Sequence, residues 1–173
     1  MKQITTSKIF LGTFEVKDTE LLISDPCYQR GIWCSGKVEN VLPGTWNAFV
    51  VSGETNGWGK RVWELIALKS DNFIPTFKEN SGIHVGVDSS MAGIYSDSFF
   101  FGGDQDTEQG KTWYEQCYKA LRNPSNGGVI PGGCVSSTGF GDGGYECFID
   151  RNGDKKVVGI KIVFISKQEE MEG

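Results

Sequence analysis

Short apolar runs separated by turn-forming residues dominate the pattern of hydrophobic and polar positions along the chain. Runs with strand character cover Lys8–Val16, Glu20–Asp25, Trp46–Val51, Arg61–Leu68 and Ile83–Asp88. Short runs that alternate or stay apolar, bounded by Gly, Pro, Asn or Asp, are typical of β-strands. The pattern therefore predicts a mainly β protein.

One later segment has the period of an α-helix. Its apolar residues are spaced i, i+4, i+7 and i+8, which places Trp113, Cys117, Ala120 and Leu121 on one face. A capping box that starts at Thr112 predicts the beginning of this helix, and Pro124 is expected to stop it. The stretch Met91–Tyr95 is interpreted as one short additional turn.

The C-terminal part predicts a β-hairpin. Asn152-Gly153 is the preferred pair for a two-residue type I′ turn, because both positions need positive φ. Pairing outward from that turn sets Cys147 opposite Val158 and Tyr145 opposite Ile160, with the apolar faces in agreement. The predicted fold is therefore mainly β (α+β), an antiparallel β-sheet or sandwich with one main helix and a C-terminal β-hairpin.

Composition limits the classes of function. The 173 residues, 38% of them hydrophobic, fit one globular domain over 1–173, with its core at about 8–166 and a disordered tail at 167–173. The net charge of −5 argues against a nucleic-acid partner, although Lys60-Arg61 is a local basic pair that could contact an anion. The sequence contains no apolar run of membrane-spanning length and no signal-peptide pattern, so we expect a cytoplasmic protein without a membrane partner.

Cysteine and histidine offer little catalytic chemistry. The cysteines are odd in number and contain no C-x-x-C pair, which favours buried, reduced thiols over a disulfide framework or a zinc site: Cys27, Cys34, Cys117, Cys134 and Cys147. His84 is the single histidine and lies in an apolar strand, where a structural role is the commoner one. We predict no metal and no cofactor.

A glycine-rich stretch precedes the hairpin. Four of the six residues in Gly139–Gly144 are glycines, with Asp142 among them, so the backbone there can take positive φ or approach another group closely. Phosphate-binding glycine loops open a helix, whereas this one opens a strand and carries a carboxylate. A Walker-type or dinucleotide-binding function is therefore not expected.

Three aspartates mark the candidate site. Asp25 and Asp88 end predicted strands, and Asp142 lies in the glycine-rich stretch. The hypothesis is that the three loops gather at one end of the sheet and line a pocket; in the alternative, each carboxylate only accepts hydrogen bonds from turn amides. The predicted ligand-binding residues are Asp25, Cys27, Tyr28, Asp88, Ser89, Ser90, Ser136, Ser137, Asp142 and Tyr145.

The same three segments carry a resemblance. Ser24–Tyr28, Val87–Gly93 and Gly139–Tyr145, in this order before the hairpin, resemble uncharacterised bacterial and phage proteins with a domain of unknown function. Members of that group carry a "VDSG" segment and a "GxGDGxYP"-like segment. The chain departs at Ser90, where glycine is commoner, and at Glu146, where proline is expected. The resemblance implies that the motifs belong together and assigns no chemistry.

Two functions remain open from the sequence. The preferred one is a non-catalytic binding protein that captures a small polar ligand or docks on a protein partner. The genomes in which the resemblance is expected extend this to a phage- or defence-related inhibitor, immunity protein or sponge. The alternative is a small hydrolase with Asp142 or Asp88 as base and Cys27 or a serine as nucleophile.

The tryptophans bear on binding and assembly. Trp46 and Trp63 lie on predicted strands and are expected in the core. Trp58 lies in a glycine-bounded loop, where we expect an exposed ring that is available for stacking. Exposed aromatic residues on an acidic chain also leave a homodimer open.

Overall fold

Two antiparallel β-sheets form the body of the protein, which a computed structural model describes for residues 4–69 and 74–167. In chain order the strands are β1 (Thr6–Val16), β2 (Leu21–Ser24), β3 (Ser35–Val38), β4 (Gly44–Glu54), β5 (Lys60–Lys69), β6 (Glu79–Val87), β7 (Met91–Ser96), β8 (Gly127–Ile130), β9 (Gly133–Ser137), β10 (Gly143–Arg151) and β11 (Val157–Val163). The larger sheet has the order β1-β4-β5-β11-β10-β6 and the smaller one β3-β2-β7-β9-β8. The predicted mainly β, α+β fold class is confirmed.

The main hydrophobic core lies between the two sheets. Trp46, Leu65 and Ile160 of the larger sheet and Ile23 and Ile94 of the smaller one are all fully buried in it. Burial of Trp46 and Trp63 is as predicted. Removing such apolar side chains from water is the main favourable contribution to folding.

A helix covers the outer face of the smaller sheet. Helix α1 (Glu108–Ala120) packs its buried Trp113 and Cys117 against residues that include Tyr95 and Val135. The apolar face was therefore predicted correctly, but the predicted start at Thr112 is wrong. The helix begins one turn earlier, where the Thr107 side chain accepts a hydrogen bond of 3.0 Å from the Gly110 amide.

The stretch Met91–Tyr95 is a β-strand, so the prediction of a helical turn is wrong. It belongs to β7, the central strand of the smaller sheet, which pairs with β2 and β9. Every residue of β7 is buried, because the strand lies between the core on one face and the helix on the other. A strand covered on both faces loses the polar alternation by which strands are recognised.

The C-terminal hairpin exists, but its predicted turn and register are wrong. The Asn152 carbonyl accepts a hydrogen bond of 3.0 Å from the Lys155 amide, and the left-handed residue is Lys155, with φ 64°. The loop is thus a type I turn followed by a left-handed residue, the usual three-residue connection. Cys147 pairs with Ile162 instead of Val158. From Glu146 to Asp150 the shift is four residues, an even number, so these side chains keep the predicted face. A bulge between Asp150 and Arg151 changes the register next to the loop.

The C-terminal residues 168–173 of the predicted disordered tail lie outside the described part of the chain. The single-domain organisation stays a prediction. The described residues contain no helix that is both long and apolar enough to cross a membrane.

Candidate functional site

The three sequence motifs meet at the turn between β6 and β7, which we call the central turn (Asp88–Ser90). Asp25 holds one side of it. Asp25 Oδ2 accepts hydrogen bonds of 2.9 Å from the amides of Asp88 and Ser89, while Oδ1 accepts one of 2.7 Å from Ser89 Oγ and one of 2.9 Å from the Cys27 amide. The Asp25 side chain is fully buried. Its hydrogen bonds therefore anchor the turn to the loop after β2.

Asp142 holds the other side of the central turn from the glycine-rich stretch. Its Oδ1 accepts hydrogen bonds from the Ser90 amide at 3.0 Å and from Ser90 Oγ at 3.2 Å. Both residues are exposed, and Ser90 has the left-handed conformation with φ 60°. Glycine is the residue preferred in that conformation.

The third carboxylate, Asp88, faces solvent and accepts a hydrogen bond from the Tyr28 hydroxyl. This bond, with a smaller effect of desolvation, raises the pKa of Tyr28 to about 12. The Tyr28 ring also packs edge-on against Trp33, with 5.9 Å between the centroids. Tyr28 therefore ties the loop after β2 to the central turn a second time.

The structure thus brings together the three loops that carry the aspartates, but their carboxylates do not face one shared cavity. Asp25 and Asp142 accept hydrogen bonds from amides, as in the alternative interpretation. Those amides are not only local, because they include residues 63 and 52 positions away in the sequence. The carboxylates hold the site together, and their role in binding a ligand stays a prediction.

Three other predicted site residues support the loops from inside. Ser136 is buried in β9, and its hydroxyl donates to the Ser137 carbonyl at 2.9 Å. The Tyr145 hydroxyl donates to the Gly141 carbonyl at 2.6 Å. The half-buried thiol of Cys27 lies 3.1 Å from the Tyr114 hydroxyl.

The remaining cysteines are buried free thiols, as the sequence predicted: Cys34, Cys117, Cys134 and Cys147. Burial raises the pKa of each thiol, which disfavours the thiolate that a nucleophile needs. His84 is exposed on β6, and no hydrogen bond between described residues joins its ring to Cys27 or to a site serine. In the described ranges, no group of three or more His, Cys, Asp and Glu side chains is arranged to hold a metal ion.

A cleft of about 280 Å³ opens beside the central turn; we call it the glycine-loop cleft. Ser90 and Ser137 are the two predicted site residues that line it, together with Asn126 and the backbone of Gly139–Gly141. Lys60 and Arg61, from the start of β5, form its other wall. The volume is just below the usual range of about 300–1,000 Å³ for small-molecule sites.

The side chains that line the glycine-loop cleft carry positive charge, with Glu54 opposite Lys60 in the β4–β5 pair and Asp142 hydrogen-bonded to Ser90 at the border. Lys60 is exposed and Arg61 half-buried, and no carboxylate of the described residues forms an ion pair with either. Arg61 Nε donates a hydrogen bond of 3.1 Å to the Trp58 carbonyl, which orients the guanidinium. Asp142 is not among the residues that line the cleft. The arrangement is suited to an anion.

Sequence reasoning left these two basic residues out of the predicted site. The order of the strands brings Lys60 and Arg61 to the cleft. Strand β5 pairs with β11, and the Phe164 amide just beyond β11 donates a hydrogen bond of 2.8 Å to the Trp63 carbonyl. Gly139 lies against Phe164 and Ile165, so the glycine-rich stretch comes next to the start of β5. The Lys60-Arg61 pair itself was the one available signal in the sequence.

A larger depression of about 430 Å³ on the other side of the glycine-rich stretch is less suited to a charged ligand. Its basic residue, Lys161, is paired with Glu64 at 3.8 Å and lies 5.2 Å from the centre of the Phe77 ring. The charge there is already neutralised. We therefore place the candidate ligand site in the glycine-loop cleft.

Comparison of the chain with protein-family models, with curated proteins and with solved structures gave no significant match.

Proposed function

We propose that the chain is a non-catalytic binding protein that captures a small anionic ligand in the glycine-loop cleft. One observation carries the proposal: Lys60 and Arg61, without a carboxylate partner among the described residues, share a cleft with the hydroxyl-bearing Ser90 and Ser137. Lysine and arginine form strong charge-assisted hydrogen bonds with phosphate and carboxylate groups. The Ser137 hydroxyl adds a donor, whereas the Ser90 hydroxyl already donates to Asp142.

The charge of the rest of the molecule supports a small ligand. The net charge is −5, so the long-range field repels large polyanions while the local pair attracts one anionic group. The carboxylate of Asp142 argued against an anion when only the sequence was considered. It is hydrogen-bonded to Ser90 and lies outside the cleft lining, so its charge borders the cleft and does not occupy it.

Titration calorimetry with inorganic phosphate tests the proposal. Replacement of Lys60 by alanine removes one charge and should weaken phosphate binding about fivefold or more. Lys111→Ala is the matched control, since Lys111 is an exposed lysine on α1 that does not line the cleft. The absence of phosphate binding at tens of millimolar, or equal affinity of the Lys60 and Lys111 variants, would contradict the proposal.

A second candidate is the small hydrolase, and one observation favours it. Ser90 Oγ lies 3.2 Å from the Asp142 carboxylate at the border of the cleft, and Ser90 has a conformation that is common at functional sites. Mass spectrometry of ligands that copurify separates the two functions. Recovery of an unaltered anion supports binding, whereas turnover that is lost in both Ser90→Ala and Asp142→Asn supports hydrolysis.

A further inference from the structure

We propose that the anionic ligand is a mononucleotide, with its phosphate in the glycine-loop cleft and its base against exposed aromatic rings at the rim. This inference rests on the proposed function, because it takes the Lys60–Arg61 wall as the phosphate site. It adds the class of the group that carries the phosphate.

Two exposed aromatic residues are the starting point. Trp58 is 67% exposed and Phe140 is 53% exposed, whereas Trp46, Trp63 and Trp113 are buried. Single exposed aromatic side chains are ordinary on protein surfaces. Here two of them occur on the two segments that also build the cleft.

Trp58 is exposed on an ordered loop. The Thr55 amide donates a hydrogen bond of 2.9 Å to the Gly59 carbonyl, and the Trp58 amide donates one of 3.2 Å to Thr55 Oγ1. These bonds close the hairpin loop between β4 and β5 and fix the backbone at Trp58. A fixed backbone reduces the conformational entropy that is lost when a ligand stacks on the Trp58 ring, so the loop favours binding by stacking.

Trp58 is linked to the basic wall through its backbone carbonyl, and Phe140 is part of the cleft lining. Arg61 Nε donates to the Trp58 carbonyl, so the guanidinium and the Trp58 loop are held together. Phe140 itself lines the cleft, between Gly139 with φ 56° and Gly141 with φ 118°. The two glycines let the chain turn sharply on each side of Phe140, which places that residue at the edge of the cleft.

Aromatic rings beside a cationic cleft distinguish nucleotides from simpler anions. The cleft, at about 280 Å³, has room for a phosphate group and part of its sugar, so a base attached to them would lie at the rim. Stacking on aromatic side chains is tolerant of base identity and strengthens binding substantially. The net charge of −5 disfavours a polymer and leaves the mononucleotide as the ligand class.

Fluorescence titration in a Trp33→Phe background tests the proposal, because Trp33 is the other exposed tryptophan. Adenosine 5′-monophosphate should quench Trp58 fluorescence and bind roughly 5- to 100-fold more tightly than ribose 5-phosphate. Titration calorimetry of the variants gives the same ratio without the fluorophore: Trp58→Ala and Phe140→Ala should each reduce it. Trp58→Ala should also leave the affinity for ribose 5-phosphate unchanged, because Trp58 does not line the cleft. Phe10→Ala is the matched control, since Phe10 is 57% exposed on β1 and packs on Phe49.

The outcomes separate this inference from the function on which it rests. Equal affinity for the nucleotide and ribose 5-phosphate, without quenching of Trp58 fluorescence, overturns the proposal that the ligand is a nucleotide and leaves the proposed anion site intact. Failure of both of these and of inorganic phosphate to bind overturns the proposed function as well. A single-stranded oligonucleotide that binds much more tightly than the mononucleotide overturns the mononucleotide in favour of a strand.

Discussion

Two aspartates accept hydrogen bonds from the central turn on opposite sides, one in a buried and the other in an exposed environment. Asp25 is fully buried and accepts four hydrogen bonds, whereas Asp142 is exposed and accepts two, both from Ser90. A donor that loses its partner costs free energy mainly where water cannot replace that partner. We therefore expect Asp25 to determine stability and Asp142 to affect mainly the neighbouring cleft.

The strongest test of this contrast is Asp25→Ala. It removes a fully buried side chain and leaves four part-buried donors without their acceptor, so we expect the free energy of unfolding to fall by about 3–5 kcal/mol. Urea denaturation measures this loss, with Asp154→Ala in the exposed hairpin loop as the matched control. A loss below about 1 kcal/mol would mean that the buried bonds do not dominate.

Asp25→Asn keeps the test decisive if the alanine variant does not fold. The asparagine retains one carbonyl acceptor, but its amide group faces donors and cannot accept from them. We expect a loss of about 2 kcal/mol or more, still larger than for the control.

Asp142→Ala should have a much smaller effect on stability, at most about 1 kcal/mol, because water can hydrate the released Ser90 groups. The same change removes a negative charge next to the cleft and should raise the affinity for phosphate about two- to fivefold at low salt. Urea denaturation and calorimetry measure the two effects. A stability loss as large as that of Asp25→Ala would remove the distinction between the two sides.

The smallest expected effect concerns the hydrogen bond from Tyr28 to Asp88, which also links the loop after β2 to the central turn. A pKa raised from 10.0 to about 12 means that the folded protein holds the Tyr28 proton more tightly than the unfolded chain does. The bond therefore contributes its full stability below pH 10 and loses it as the pH rises towards 12. The difference in ultraviolet absorbance between wild type and Tyr28→Phe reports the ionisation of Tyr28. It should titrate near pH 12, and near pH 10 when both proteins carry Asp88→Asn. Titration near 10 with Asp88 intact would show that the bond is absent.

Local patterns in the sequence predicted most elements of the fold. The spacing of Trp113 and Cys117 correctly identified the buried face of α1, since that face depends on residues within a few turns. The predicted register of the C-terminal hairpin is wrong because Asn152-Gly153 is compatible with two loop lengths. The side-chain faces agree in either register, and only the pairing of β11 with β5 distinguishes them.

The candidate site was predictable only in part. Asp, Gly and Ser in short loops indicated correctly which segments meet, because these residue types hold tight turns together. They did not show that Ser136 points away from the cleft in a doubly covered sheet, or that β5 contributes its basic end. Both facts depend on the order of strands in the sheets, which arises from contacts between distant parts of the chain.

The long sequence separation of the central turn from its two aspartates has a consequence for folding kinetics. Before the turn acquires its hydrogen bonds, the chain must close one loop of 63 residues back to Asp25 and another of 52 residues forward to Asp142. Closure of such loops costs entropy that is offset only after the sheets have formed. We therefore expect this corner to be ordered last during refolding, and the protein to recognise its ligand only once nearly all of the chain is native.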